Sequence, residues 1–284
     1  MTIFELLRAI LFDQYELVPG SEAKRNQAIE AQMTALALAF NDLKDEDRAP
    51  PDYQDAATRF AYVRKYTACH ADIVAEKIRS IPALGELFER GGWIEVACVG
   101  GGPGSDFLGI VKHMIRTGAT TSLKCFLLDR EPAWGDTWAG VEQHTEDLTF
   151  RISTHCQTID VTDAASWQVQ KRYLRADLFT FIYFISEVWR LRDDAEEFFV
   201  NLFESAKPGS LFLFVDNKEQ DFYSWFDGMA NGGGLGLLAR GEEKFQISPA
   251  EEKTDLEPFY SRFSHSPKLQ TWIAWRVYRK PIDV

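Results

Sequence analysis

The chain has 284 residues, 45% of them hydrophobic and 13% aromatic, enough for one sizeable α/β domain with an extension or for two small domains. With 31 basic residues against 43 acidic ones the net charge is −12, a surface that repels phosphate backbones and so argues against generic nucleic-acid binding and for a small or cationic substrate. Four scattered cysteines (Cys69, Cys98, Cys125, Cys156) form no CxxC and no Cys/His ligand spacing, so no metal is expected and reduced thiols of an intracellular protein are.

Residues 1 to about 90 read as a helical cap. MTIFELLRAILFDQYELV carries acids inside its apolar run and no small-residue cleavage site, so it is not a signal peptide by pattern. No uninterrupted apolar run approaches the ~18 residues of a membrane span, and a soluble, cytoplasmic protein without a membrane partner is expected. Phe4, Leu7, Ile10 and Leu11 share one helical face, as do Ile29, Met33, Leu36 and Phe40. DLKDEDRAPPDY, charged and holding two prolines, reads as a surface loop. A third helix is expected from about Asp55 to Arg79, ending before Ile81-Pro82, with Tyr62, Tyr66 and His70 on one face.

From about Trp93 the texture changes, and a second region, 91–284, begins. Short apolar runs alternate with helical segments: WIEVACVG, SLKCFLLD, FRISTHCQTIDV, ADLFTFIYFI and GSLFLFVDN. Such runs suit a parallel sheet covered by helices, with crossover helices between neighbours. KLQTWIAWRVYRK reads as a last strand, Trp272, Ala274, Arg276 and Tyr278 on one face and Ile273, Trp275 and Val277 on the other. The glycine-rich DGMANGGGLGLLARGEEKF before it is either a substrate lid or a plain flexible loop.

The most informative stretch is ACVGGGPGSDFLGIVKHMI. Gly100, Gly102 and Gly104 follow a strand ending at Val99; Ser105 and Asp106 can cap a helix whose core face is Phe107, Ile110, Val111, Met114 and Ile115, with Gly118 at its C-terminal end. This is a first βα unit of a nucleotide-binding fold, in which backbone N–H groups point at the ligand. A dinucleotide fingerprint would need a third glycine at 105 or 107, where Ser105 and Phe107 stand, and a P-loop would need a lysine that is absent. What remains is G-x-G-x-G. There the sequence resembles the class I S-adenosylmethionine-dependent methyltransferases. The resemblance implies a doubly wound, mostly parallel seven-stranded Rossmann-like sheet under a helical N-terminal cap, with S-adenosylmethionine as cofactor.

Further features follow in the order that family has them, over roughly residues 93–280. Asp129 ends the second strand 25 residues beyond Gly104, where an acid can accept both ribose hydroxyls. The resemblance places Asp160, with Val161, beside the adenine amino group, and the tip of the fourth strand at Ser186 and Glu187 on the ligand rim. Lys207-Pro208-Gly209 before the fifth strand is a turn typical of the family. It implies cofactor contacts at Gly100, Gly101, Gly102, Gly104, Asp106, Asp129, Arg130, Trp134, Asp160, Val161 and Ser186. One departure stands out. Cys98 occupies the position, two before the first glycine, where the family usually has an acid that orients the cofactor's amino group; Asp106 or a residue of the cap would substitute. GGGPGSD is also similar to a eukaryotic branch that includes large-subunit ribosomal RNA uridine methyltransferases.

Several residues keep two readings. Trp134 and Trp138, four apart, lie over the adenine or in the core. The Tyr62/Tyr66/His70 face either closes over the cofactor, offering Tyr66 or His70 to the acceptor, or is the packed side of an amphipathic helix. Glu187 is a base, a holder of a cationic amine, or a solvated carboxylate. Asp216 and Asn217 end the fifth strand at the same rim. The fourth-strand region FISEVW lacks the [DN]-P-P-[FYW] element of exocyclic base-amine methylation. The expected activity is therefore methyl transfer to an O or N atom of a small molecule, the catalytic candidates being Glu187, Tyr66 and His70. The alternatives are an RNA or protein acceptor, or an inactive methyltransferase-like interaction module; a nicotinamide dehydrogenase is disfavoured by the glycine spacing.

Overall fold

The computed structural model describes residues 2–41, 43–44, 50–145 and 148–282, so residues 42 and 45–49 of the expected surface loop lie outside the described residues. Seven strands form one sheet: β1 (Trp93–Val99), β2 (Ser122–Asp129), β3 (Ile152–Thr158), β4 (Leu178–Ile182), β5 (Leu211–Asn217), β6 (Gly236–Gln246) and β7 (Gln270–Arg279). Their order is β3-β2-β1-β4-β5-β7-β6; the first five run parallel and β7 runs antiparallel between β5 and β6. This is the expected seven-stranded, mostly parallel Rossmann-like sheet. The winding reverses between β1 and β4, which leaves a crevice at their carboxyl ends, the place where open α/β sheets bind ligands.

The apolar runs explain the central strands. Every residue of β4 is buried, and its register with β5 sets Phe179 opposite Phe212, rings 4.8 Å apart and 10° from parallel. A strand covered on both faces needs no polar alternation, and each buried ring contributes about 1.5–3 kcal/mol.

One face carries α1 (Ile3–Leu17), α2 (Glu22–Ala39), α3 (Ala56–Tyr62), α4 (Ala68–Ser80), α5 (Pro82–Glu89), α6 (Ser105–Thr117) and α7 (Trp134–Gln143). Thr2 and Glu5 close a reciprocal capping box on α1, the Glu5 N–H donating to Thr2 Oγ1 (3.1 Å) and the Thr2 N–H to Glu5 Oε2 (2.7 Å). The long helix expected from Asp55 is α3 and α4 joined through a π-turn at Val63–Thr67, with Asp55 accepting the Ala57 and Thr58 N–H groups. α4 ends before Ile81-Pro82 as expected, and proline at the first position then starts a further helix, α5, that the sequence pattern does not reveal. In α6, Ile115 is 41% exposed and not part of the core face, while Phe107, Ile110, Val111 and Met114 are buried. Ser105 and Asp106 do not cap α6: Gly104 holds the cap position and no side chain bonds there, whereas Gly118 ends the helix with φ +63° as expected.

The opposite face carries α8 (Ala164–Trp167), α9 (Ile185–Val188), α10 (Arg192–Ser205) and α11 (Gln220–Gly232). The glycine-rich stretch expected as a lid or loop is instead the end of α11, a turn, and the edge strand β6. Two of its glycines serve packing, since a Cβ on Gly233 would lie 2.5 Å from the Phe203 Cβ and one on Gly241 2.7 Å from the Trp275 ring. Two short helices between β6 and β7, α12 (Pro249–Asp255) and α13 (Phe259–Arg262), fold back onto the N-terminal helices. Thr2 Oγ1 donates to Asp255 Oδ2 (2.7 Å), and the buried Arg64 donates to the Phe259 carbonyl (3.0 Å) and the His265 carbonyl (2.5 Å). The apolar core on this side is continuous from Leu7 and Leu11 through Val96 and Cys98 to Ile273 and Val277. Among the described residues, no helix is long and apolar enough to cross a membrane.

Candidate functional site

The turn from β1 into α6 is built from three left-handed glycines, Gly100 (φ +65°), Gly102 (+45°) and Gly104 (+83°). Packing dictates most of the glycine content. A Cβ would lie 1.9 Å from the Phe184 ring at Gly100, 2.2 Å from Leu127 Cδ1 at Gly101 and 2.7 Å from the Trp138 ring at Gly104. At Gly102 nothing stands closer than 3.7 Å, so that position opens onto a cavity. The tryptophan pair divides between its two readings. Trp138 is a buried brace whose Nε1–H donates to the Gly102 carbonyl (3.1 Å), while Trp134 lines the cavity. Gly104 sits over Trp138 and outside the cavity wall.

The cavity, about 310 Å³, opens at the carboxyl ends of β1, β2 and β4 and gathers Gly100, Gly101, Gly102, Asp106, Asp129, Arg130, Asp160, Val161 and Glu187 from the sequence-expected set. Asp129 Oδ2 accepts the Gly102 N–H (2.9 Å) and Oδ1 the Glu131 N–H (2.9 Å), which ties the tip of β2 to the turn. A carboxylate has about four lone-pair sites, so hydroxyl donors still have room. Burial, opposed by those two hydrogen bonds, pushes the Asp129 carboxyl up to about 6. Asp160 Oδ1 accepts from the Thr162 N–H (2.9 Å) and hydroxyl (2.7 Å), fixing the loop that presents Val161. Asp106 is buried under the turn, Thr180 Oγ1 donates to its Oδ2 (2.5 Å), and desolvation raises it to about 7. Cys98 points into the core, its Sγ 3.5 Å from Cys125 Sγ, and lines no part of the cavity. Among the described residues the wall holds five carboxylates, Asp106, Asp129, Glu131, Asp160 and Glu187, against the guanidinium groups of Arg130 and Arg190.

A second cavity of about 50 Å³ adjoins the first, and the walls of both include Phe40, Tyr62, His70, Tyr183 and Glu187. Two expected residues, Tyr66 and Ser186, line only this smaller space, together with Asn217 and Lys268. Asp216, expected at the rim, is a buried brace: its Oδ2 accepts the Ser186 N–H (2.9 Å) and its Oδ1 the Asn217 N–H (2.7 Å), and burial raises it to about 6. Tyr183 follows β4 with φ +56°, a strained backbone for a bulky residue, and its hydroxyl bonds Thr271 Oγ1 (3.1 Å). His70 stacks on that ring at 4.0 Å and 15°. Its Nε2 is buried without a hydrogen-bond partner, and burial, helped by the Lys268 charge, lowers its proton affinity well below an ordinary histidine's. The imidazole is therefore neutral at physiological pH. The catalytic candidates Glu187, Tyr66 and His70 thus meet around one small space.

Tyr53, Tyr183 and Lys268 belong to these walls and were not singled out from the sequence. Tyr53 packs against Trp134 (5.0 Å between centroids) with a buried, unpartnered hydroxyl. Lys268 reaches the site because its backbone N–H donates to the Lys65 carbonyl in the π-turn (2.7 Å). Among the described residues, no cluster of three or more His, Cys, Asp or Glu could hold a metal ion.

No protein-family model and no curated protein matches the sequence. Similar solved structures include a methyltransferase from Pyrococcus furiosus (12% identity, 69% of this chain and 79% of that one, TM-score 0.40). Another is precorrin-6y C5,15-methyltransferase from Geobacter metallireducens (9%, 83% and 96%, TM-score 0.40). A third is phosphoethanolamine N-methyltransferase 2 of Haemonchus contortus in complex with S-adenosyl-L-methionine (13%, 76% and 57%, TM-score 0.39).

Proposed function

We propose that this protein is an S-adenosylmethionine-dependent methyltransferase that acts on a small-molecule acceptor. The observation that carries this reading is the acid-rich wall of the larger cavity at the β1/β4 switch point. Five carboxylates around a glycine turn with no lysine repel a pyrophosphate and suit a ligand bearing a sulfonium and an ammonium. At about 310 Å³ the cavity is of the size that holds small ligands. The buried, unpartnered Tyr53 hydroxyl and His70 Nε2 in its wall are polar atoms that a ligand would satisfy.

In this reading Gly100 to Gly102 lie along the methionine part, Asp106 pairs its ammonium, Asp129 accepts the ribose hydroxyls, and Asp160 with Val161 meets the adenine, flanked by Trp134. The cofactor supplies a methyl carbon activated by its sulfonium. Asp106 then takes over the duty of the missing acid at Cys98, from the helix instead of the strand. The aromatic wall of Phe40, Tyr62 and Tyr183 keeps water from the junction of the two cavities. Burial holds the Tyr66 hydroxyl protonated, which makes it a hydrogen-bond donor to the acceptor rather than a base. His70, neutral and weakened as a base by burial, offers its unsatisfied Nε2 as a hydrogen-bonding group to the acceptor.

Calorimetry with S-adenosylmethionine is the direct test. The wild type binds it, and Asp129→Asn weakens binding by about tenfold or more, the worth of hydrogen bonds to a charged acceptor. Circular dichroism checks that the variant remains folded. No binding by the wild type, equal binding by a folded variant, or preferential binding of a nicotinamide dinucleotide sinks the reading.

A further inference from the structure

We propose that the smaller cavity receives its acceptor as an oxyanion, a carboxylate or the ionised oxygen of a phenol or enol, held by the Lys268 ammonium. The inference rests on the methyltransferase reading above and adds the chemical class of the acceptor. Lys268 lines only the smaller cavity, whereas Glu187 lines both. The positive pole therefore stands in the space away from the glycine turn. Its Nζ lies 4.6 Å from the centre of the Tyr183 ring and 5.9 Å from that of Tyr66. Among the described residues no hydrogen bond or ion pair engages that Nζ. The Asp216 carboxylate, whose charge it feels, is already committed to the Ser186 and Asn217 N–H groups.

A half-buried ammonium with no anion in hydrogen-bonding reach among the described residues is unfavourable, and burial lowers its proton affinity. An anion bound beside it removes that cost. The cofactor's sulfonium would add a second cation across the junction, so the Lys268 side of that space, opposite the Glu187 carboxylate, favours a negative charge and disfavours a protonated amine. The rings of Phe40, Tyr62, Tyr66 and Tyr183 supply flat walls for an unsaturated, planar group. A cavity of about 50 Å³ admits the reacting group of such a molecule rather than the whole of a large one. An oxygen held as its anion has no proton to lose. Its lone pair forms the bond to the methyl carbon while the carbon–sulfur pair leaves on sulfur, and the oxyanion and sulfonium charges cancel.

The test uses the full chain saturated with S-adenosylhomocysteine, titrated by calorimetry with benzoate, its neutral isostere benzamide, and benzylamine. Benzoate is expected to bind at least about tenfold more tightly than the other two, the scale of one charge-assisted contact. Lys268→Met abolishes that preference and leaves S-adenosylhomocysteine affinity in place. Benzoate binding no more tightly than benzamide, including no binding of either, overturns the proposal, as does a preference that survives in Lys268→Met. If that variant does not fold, the wild-type comparison of the three probes decides alone. A protein that prefers benzoate but binds neither S-adenosylmethionine nor S-adenosylhomocysteine fails on the cofactor, which separates the two readings.

Discussion

In the proposed reading, Asp106 ties folding to ligand binding. Its carboxyl titrates near 3.8 in an unfolded chain and is raised to about 7 by burial. The folded state therefore holds the extra proton between those values, and its contribution to stability is full below about 3.8 and lost as pH rises through about 7. Asp106→Asn removes the buried charge and keeps an acceptor for Thr180 Oγ1. The ligand-free variant should melt about 2–4 °C above the wild type at pH 8 for each kcal/mol recovered, and the gain should vanish near pH 4, as measured by thermal denaturation. Cofactor affinity should move the other way. Wild-type binding weakens by up to about tenfold per pH unit below 7, and the variant binds weakly with a flatter profile. Asp106 was legible in the sequence as a turn acid, but its assignment as a helix cap was not upheld. The carboxylate reaches Thr180 on the neighbouring strand, a partner 74 positions away that local pattern does not reveal. The same holds for Trp134 and Trp138, whose equal spacing concealed a lining residue and a brace.

At the scale of elements, the contact between α4 and α6 positions the glycine turn. Gly109 lets the two backbones approach: an added Cβ would stand 2.4 Å from the Ala71 carbonyl oxygen and 2.6 Å from the Val74 Cβ. Backbone cannot swing aside as a side chain does. Gly109→Ala should therefore cost about 1–3 kcal/mol, read as a lower denaturant midpoint, and should loosen cofactor binding because α6 carries the turn at its N-terminus. Long, strongly patterned elements were legible, including the α3–α4 rod and the five parallel strands. β6 was not. As an edge strand it is largely exposed, and its glycines, of which Gly241 is required by the Trp275 ring of β7, mimic a loop. α12 and α13 escaped for the complementary reason: each is short and stabilised by packing on the N-terminal helices rather than by its own periodicity.

Across the whole molecule, the N-terminal helices and the sheet share one continuous core, and the segment between β6 and β7 seals it from the other end of the chain. Differential scanning calorimetry should accordingly show one cooperative transition, raised by saturating S-adenosylmethionine; two resolved transitions would show that the helical layer unfolds by itself. The amino-acid order alone specifies the sheet's class, the glycine turn, the acid that ends β2 and the acid that follows β3. Those signals are local: strand length, apolar content, left-handed glycines and residues adjacent to strand ends. Which faces meet is set by packing in three dimensions. It brought His70 against Tyr183, placed Lys268 beside the π-turn, turned Cys98 into the core and set Asp106 beneath the turn. Each of these rests on approach between segments far apart in the chain, set by packing and desolvation, which no short window of residues encodes.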